Sequence, residues 1–283
     1  MMSTTLNSPN EVLMGSDLIQ SDESSNGLAR IGAVAYLNTK PLIYGLEHQL
    51  KGVGSLHLEL PSRLAQQMQD RQIDVGLIPV VEYLRHRDRY RLISNAGIAC
   101  QGPVWSVRVL FRVPPDQVKT LGTDEGSRTS VALSQVLFES RYGKLPELIP
   151  FPIGSQPQDC PADAVLVIGD RAMNPDRYRS DFYLDWDLGQ EWYLETGLPF
   201  VFAMWVARDS QFDQPRLIDL LESSRDQGCQ HVHEIIGRYA RSYGLTDQAC
   251  REYLTRYLRF TIGRAELQGL AEFSARCQAL GLA

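Results

Sequence analysis

The sequence predicts an α/β fold of two lobes with a ligand cleft between them, and three observations carry that reading. Short apolar runs alternate with segments of helical periodicity as far as residue 208. Two long apolar strands, "SVRVLFRV" at 106–113 and "LPFVFAMWVAR" at 198–208, flank an α/β segment that reads as an insertion. From Pro215 onward nearly every residue carries a helical pattern.

Taken in order, residues 31–37 read as a strand and 41–49 as a short helix, begun by Pro41. "SLHLEL" at 55–60 alternates polar with apolar, as a half-buried strand does. "PSRLAQQMQDRQ" opens with Pro61 and Ser62 and places Leu64 and Met68 on one helical face. "IDVGLIPV" at 73–80 suits a buried strand ended by Pro79, and "VEYLRHR" starts another helix. This succession marks a parallel, doubly wound sheet. Pro114 and Pro115 close the 106–113 strand, and "TLGTDEGSRTSVALSQVLFESRYG" reads as a short strand, a glycine loop and an amphipathic helix. "DAVLVIGDRAM" at 163–173 is a strand ending at Gly169 and Asp170. The expected division is a disordered polar extension over 1–29, lobe one over 30–113 and 207–283, and lobe two over 114–206. The strands near 106–113 and 198–206 are the expected crossovers between lobes.

Composition narrows the function. A net charge of −6 with 22% charged residues argues against a general nucleic-acid binder. The basic "RHRDRYR" at 85–91 is interrupted by Asp88 and Tyr90 and reads as a solvated helix end. No run of about eighteen apolar residues exists, so no membrane span is expected. The first thirty residues lack the basic and apolar regions of a secretory signal. The five cysteines form no CxxC, and together these features favour a cytoplasmic location without structural disulfides. No GxGxxG follows the first strand, and Walker A and HExxH patterns are missing. In "CQHVHE" at 229–234, His231 and His233 face different sides of a helix, so no metal is expected there. Oligomeric state is not legible.

The strongest local chemistry lies in "DEGSRTSVAL" at 124–133. Gly126 leads into a helix whose first turn carries Ser127, Arg128, Thr129 and Ser130. Free N–H groups, hydroxyls and one guanidinium suit a carboxylate or phosphate. The competing reading is an ordinary N-cap by Ser127 or Thr129. Ser106, after Gly102 and Pro103, either faces the cleft or is a satisfied strand-edge serine. Gly169 and Asp170 end a buried strand, where the carboxylate either holds a ligand hydroxyl or caps the next turn. In "VAYLNTKPLIYG", Asn38 and Thr39 stand where a strand meets a helix, a usual place for ligand contacts.

The segments "RIGAVAYLNTKPLIYGL", "DVGLIPVVEYL", "GPVWSVRVLF", "SRTSVAL", "AVLVIGDRAM" and "GLPFVFAMWVAR" occur in this order over residues 30–208. Together with "YLTRYLRFTIG" and "GLAEF" in the tail, they closely resemble the chorismate dehydratases of the futalosine route to menaquinone. The resemblance implies a fold like that of type II periplasmic binding proteins. It implies dehydration of chorismate to 3-[(1-carboxyvinyl)oxy]benzoate, without a cofactor. It also implies catalytic roles for Asn38 and Ser106. The substrate contacts expected beside them are Thr39, Ser127, Arg128, Thr129, Ser130, Gly169 and Asp170. A neutral asparagine amide is too weak a base for a carbon-bound proton, so the substrate's own carboxylate is the expected acceptor. Two rivals share the fold: a solute-binding protein without catalysis, and the dihydroxynaphthoate synthase of the same route, which relies on a cleft histidine. None of His48, His57, His86, His231 and His233 falls in the expected second lobe.

Overall fold

The computed structural model describes residues 29–52, 54–124, 126–152, 154–208 and 215–283. Along the chain, β1 (Ala29–Val34), β2 (Gly54–Glu59), β3 (Val75–Pro79) and β4 (Arg91–Cys100) come first. Then follow β5 (Val107–Phe111), β6 (Thr120–Asp124), β7 (Glu147–Phe151), β8 (Ala164–Ile168) and β9 (Leu184–Asp187). The last strands are β10 (Phe200–Ala207) and β11 (Arg259–Thr261). Six of them form one sheet in the order β11-β4-β10-β3-β1-β2, and five form another in the order β7-β6-β8-β5-β9.

Each sheet is mixed, which corrects the expectation of a parallel one. β1 pairs in parallel with β2 and β3, and β6 with β7 and β8. The strand that returns from the other lobe runs against its neighbours: β10 against β3 and β4, β5 against β8 and β9. Residues 107–111, expected in lobe one, pair in the second sheet, and residues 200–206, expected in lobe two, lie inside the first. The chain changes sheet before each of these strands, not along it. The expected extension also overlaps β1 at Ala29, while residues 1–28 lie outside the described residues.

Local differences have local causes. β1 stops at Val34, and Leu37–Thr39 forms a single 3-10 turn. The expected helix over 41–49 is two short ones, α1 (Lys40–Ile43) and α2 (Leu46–Gln49), divided at Tyr44 and Gly45. β4 escaped the sequence pattern because Ser94 and Asn95 interrupt it; the Asn95 N–H donates to Glu222 Oε1 at 3.0 Å. β7 contains Pro150 and sits at a sheet edge, where a missing donor costs no ladder bond.

Helices cover both sheets: α3 (Pro61–Gln69), α4 (Val80–Arg85), α5 (Arg128–Tyr142), α6 (Leu188–Thr196), α7 (Pro215–Gln230), α8 (Val232–Tyr239), α9 (Asp247–Glu252) and α10 (Arg264–Ala279). Among the described residues, none is long and apolar enough to cross a membrane. Buried Leu64, Ala65 and Met68 place α3 on the sheet, as its four-residue spacing predicts. α7 presses on the segment after β1: a Cβ on Gly228 would come within 2.0 Å of the Pro41 carbonyl oxygen. Only glycine permits that approach. The Ser224 hydroxyl accepts the Gly45 N–H at 3.1 Å, and together these contacts brace the turn that carries Asn38. The second crossing is held by an aromatic cluster, in which Trp192 meets Phe200 edge-on at 5.4 Å and Phe273 at 6.1 Å. Truncating Phe273, 1% exposed, removes contacts worth about 3–5 kcal/mol.

Candidate active site

A cavity between the sheets is lined by most of the predicted residues. Asn38 faces it from the first lobe, Ser106 from the first crossing, Ser127, Arg128, Thr129 and Ser130 from the start of α5, and Gly169 from the end of β8. Val34, Ile98 and Phe202 supply apolar wall. Thr39 is the exception: its side chain is buried behind the wall, with Oγ1 3.5 Å from Asn38 Oδ1. The Asp170 side chain lies outside the described residues.

The start of α5 bears on the two readings of its hydroxyls. No side chain caps this helix, although Ser127 stands at the N-cap with extended backbone. The first-turn N–H groups carry the positive end of the helix dipole, and Gly126 to Ser130 line the cavity. Uncapped N–H groups at a helix start are the kind of donors that receive anions. The turn before it is held by Asp124, whose carbonyl accepts the Ser127 N–H at 3.0 Å and whose carboxylate accepts the Gly126 N–H at 2.9 Å. Burial pushes the Asp124 carboxyl up, opposed by the paired Arg171 guanidinium and the Gly126 N–H.

Two members of the quartet are committed elsewhere. Thr129 Oγ1 accepts the Val81 N–H at 3.3 Å and donates to the Phe202 carbonyl at 3.2 Å, tying α5 to the first lobe. Arg128 pairs with the buried Glu82 at 2.9 Å, and Glu82 also takes Arg85 at 2.9 Å. The Arg128 charge at the cavity wall is thus partly balanced from behind.

Ser106 is 2% exposed, and its hydroxyl meets the phenol of Tyr253 at 2.9 Å. Tyr253 begins the π-helical turn Tyr253–Tyr257, and pattern reading missed it because it sits in an amphipathic tail where tyrosine reads as packing. Before Ser106, Trp105 adopts a left-handed φ of 67°, rare for a bulky residue. The Asp187 carboxylate accepts the N–H groups of Val104 at 2.9 Å and Trp105 at 2.6 Å, then caps α6 through Gly189 and Gln190. Asp187 was also missed, though an aspartate before "LGQEW" is a legible cap signal. Gly169 donates its N–H to the Ser106 carbonyl at 2.9 Å, which ties the two strand ends together, and its positive φ of 63° turns the chain that follows.

"CQHVHE" spans the end of α7 and the start of α8. His231 stacks on Tyr44 at 5.3 Å, and no group of three metal-ligating side chains occurs among the described residues.

Two mixed sheets meeting around a cavity walled by a helix N-terminus and neutral donors define the class, a two-lobed α/β protein with the architecture of periplasmic binding proteins. Solved structures show the same fold. A protein from Archaeoglobus fulgidus matches with a TM-score of 0.73 at 18% identity, over 92% of this chain and 100% of that one. The periplasmic aliphatic sulphonate binding protein of Escherichia coli matches at 0.60 and 12% identity, over 90% and 88% of the two chains. Residues 29–279 match the family model described as menaquinone biosynthesis, and the chain belongs to that family. Its relatives include the chorismate dehydratase of Thermus thermophilus, 27% identical and covering 89% of this chain and 95% of that protein. The chorismate dehydratase of Campylobacter jejuni is also 27% identical, over 89% and 99%.

Proposed function

We propose that the protein is a chorismate dehydratase acting as a cofactor-independent hydro-lyase in the cytoplasm. The observation that carries this reading is the uncapped start of α5 opposite Asn38 and Ser106 in one cavity. Chorismate carries two carboxylates, a ring C–H beside its enolpyruvyl ether and a hydroxyl on the next ring carbon. The α5 N–H groups and Arg128 take the ring carboxylate. Asn38 orients the side-chain carboxylate over the ring C–H, and that carboxylate accepts the proton. The C–H electrons become the new ring double bond, the neighbouring C–O bond breaks, and hydroxide leaves as water with the abstracted proton. Ser106 donates a hydrogen bond to the departing oxygen.

Aromatisation supplies the driving force, and no electrons enter or leave the substrate and product together. The protein's task is therefore positioning and electrostatic support, for which neutral donors on rigid strand ends are suited. Among the described residues that line the cavity there is no histidine, which favours this reading over the histidine-dependent synthase of the same route. Within the fold, the lobes divide in the connections before β5 and β10. Purified protein incubated with chorismate should yield a product lighter by one water, with benzoate-like ultraviolet absorbance. Chorismate bound but unconsumed would instead identify a solute-binding protein.

A further inference from the structure

Among the described residues, the Ser106 hydroxyl has one close partner, and it comes from a distant part of the chain. Tyr253 Oη donates to Ser106 Oγ at 2.9 Å, across 147 residues of sequence. Both side chains are within 2% of full burial. Among the described residues, the serine's own proton finds the Val104 carbonyl, at the long distance of 3.5 Å. The serine oxygen is therefore engaged as an acceptor while its proton is loosely held beside the cavity. The neighbourhood fixes this arrangement. Trp105 lies against Tyr253 at 5.8 Å and Tyr257 at 5.7 Å, and the phenol sits where α9 changes to a π-helical turn. Such turns redirect side chains at functional sites.

We propose that Tyr253 is a positioning residue for Ser106, directing the serine proton into the cavity toward the hydroxyl that leaves. A hydroxyl that accepts a hydrogen bond becomes a better donor, so the phenol both orients and strengthens Ser106. No proton transfer is added to the reaction. The effect is on the strength of one hydrogen bond as the C–O bond breaks. The inference rests on the dehydratase reading for its substrate and on the Tyr253–Ser106 contact for its geometry.

The test is a cycle of Tyr253→Phe, Ser106→Ala and the double variant. Tyr253→Phe keeps the ring and its packing. It should lower kcat about tenfold, less than loss of a direct donor, with KM within about twofold. In the Ser106→Ala background the same change should alter kcat by less than about twofold. A second readout needs no turnover. With tyrosine labelled at the phenol carbon, the Tyr253 resonance, assigned by its loss in Tyr253→Phe, should move in Ser106→Ala. This resonance decides the matter if Ser106→Ala turnover falls below detection. Unchanged kcat in Tyr253→Phe, equal losses in both backgrounds, or an unmoved resonance would each overturn the proposal. Wild-type protein that leaves chorismate intact sinks the dehydratase reading and this role with it. Active wild type with an unmoved resonance sinks this role alone.

Discussion

Asp187 accepts the backbone N–H of Trp105 at 2.6 Å while Trp105 stands at a φ of 67°. A buried carboxylate thus holds a strained turn, and the next residue is Ser106. The left-handed backbone costs a bulky residue about 1–2 kcal/mol, which the hydrogen bonds to Asp187 offset. Burial pushes the Asp187 carboxyl above its ordinary range, and the Val104 and Trp105 N–H groups and Arg108 oppose that rise.

Asp187→Ala should therefore cost about 3 kcal/mol, from a lost helix cap and buried N–H groups left unpaired. Urea denaturation checks the stability. Turnover, measured where the variant is still folded, should drop by at least about tenfold because Ser106 loses its fixed position. A variant as active as wild type under those conditions would separate the turn from catalysis.

Asn38 bears on the chemical step. Asn38→Ala and Asn38→Asp should each lower kcat by about a hundredfold or more, since both lose the amide that orients the reacting carboxylate. Chorismate affinity, measured by calorimetry, should change by less than about fivefold in Asn38→Ala. Near-normal turnover in both variants would remove Asn38 from the mechanism.

Arg128 and Thr129 are neighbours with different duties. Arg128→Ala should raise KM about tenfold or more. Arg128→Lys should fall between that variant and wild type, because an ammonium keeps the charge but not the fork. Thr129→Val removes the link to Val81 and Phe202 and should cost about 1–3 kcal/mol in denaturant unfolding, with KM changed less than in Arg128→Ala. The reverse ranking of KM effects would show that the threonine hydroxyl, not the guanidinium, meets the substrate.

Acid stability should depend on Asp74, far from the cavity. Burial alone would raise its carboxyl, but hydrogen bonds from the Arg30 side chain and backbone and from Arg208 outweigh that and hold it below the usual range. A depressed folded value means the unfolded chain binds the proton first as pH falls. The contribution is therefore complete above the unfolded carboxylate value of about 3.9 and is lost as pH falls through the lower folded value. Asp74→Asn should be less stable than wild type at pH 7, with the gap narrowing below about pH 4. A gap that stays constant from pH 7 to pH 3 would exclude this role.

Much of the site was legible from residue types at strand ends. Asn38 and Gly169 follow apolar runs, Ser106 precedes one, and Ser127–Ser130 follow a glycine loop; the structure gathers them in one cavity. Thr39 shares their local pattern but turns inward, because in a 3-10 turn consecutive side chains diverge. Strand β4 was hidden because its polar residues are satisfied by partners on α7, which no local window contains.

By itself, the sequence determined the alternation of strands and helices, the glycine turn before α5 and the set of polar residues at the strand ends. Those features depend on periodicity and backbone preference, which act within a few residues. Only the tertiary structure decided that β5 and β10 run antiparallel in the sheets they join, that the start of α5 is uncapped, and that Arg128 is half-neutralised by Glu82. It also decided that Tyr253 and Asp187 stand behind Ser106. The sheet pairings, the Arg128–Glu82 pair and the contacts behind Ser106 share one physical reason: each depends on a hydrogen bond or ion pair between segments far apart in the chain, so the partner's identity is fixed by packing rather than by spacing.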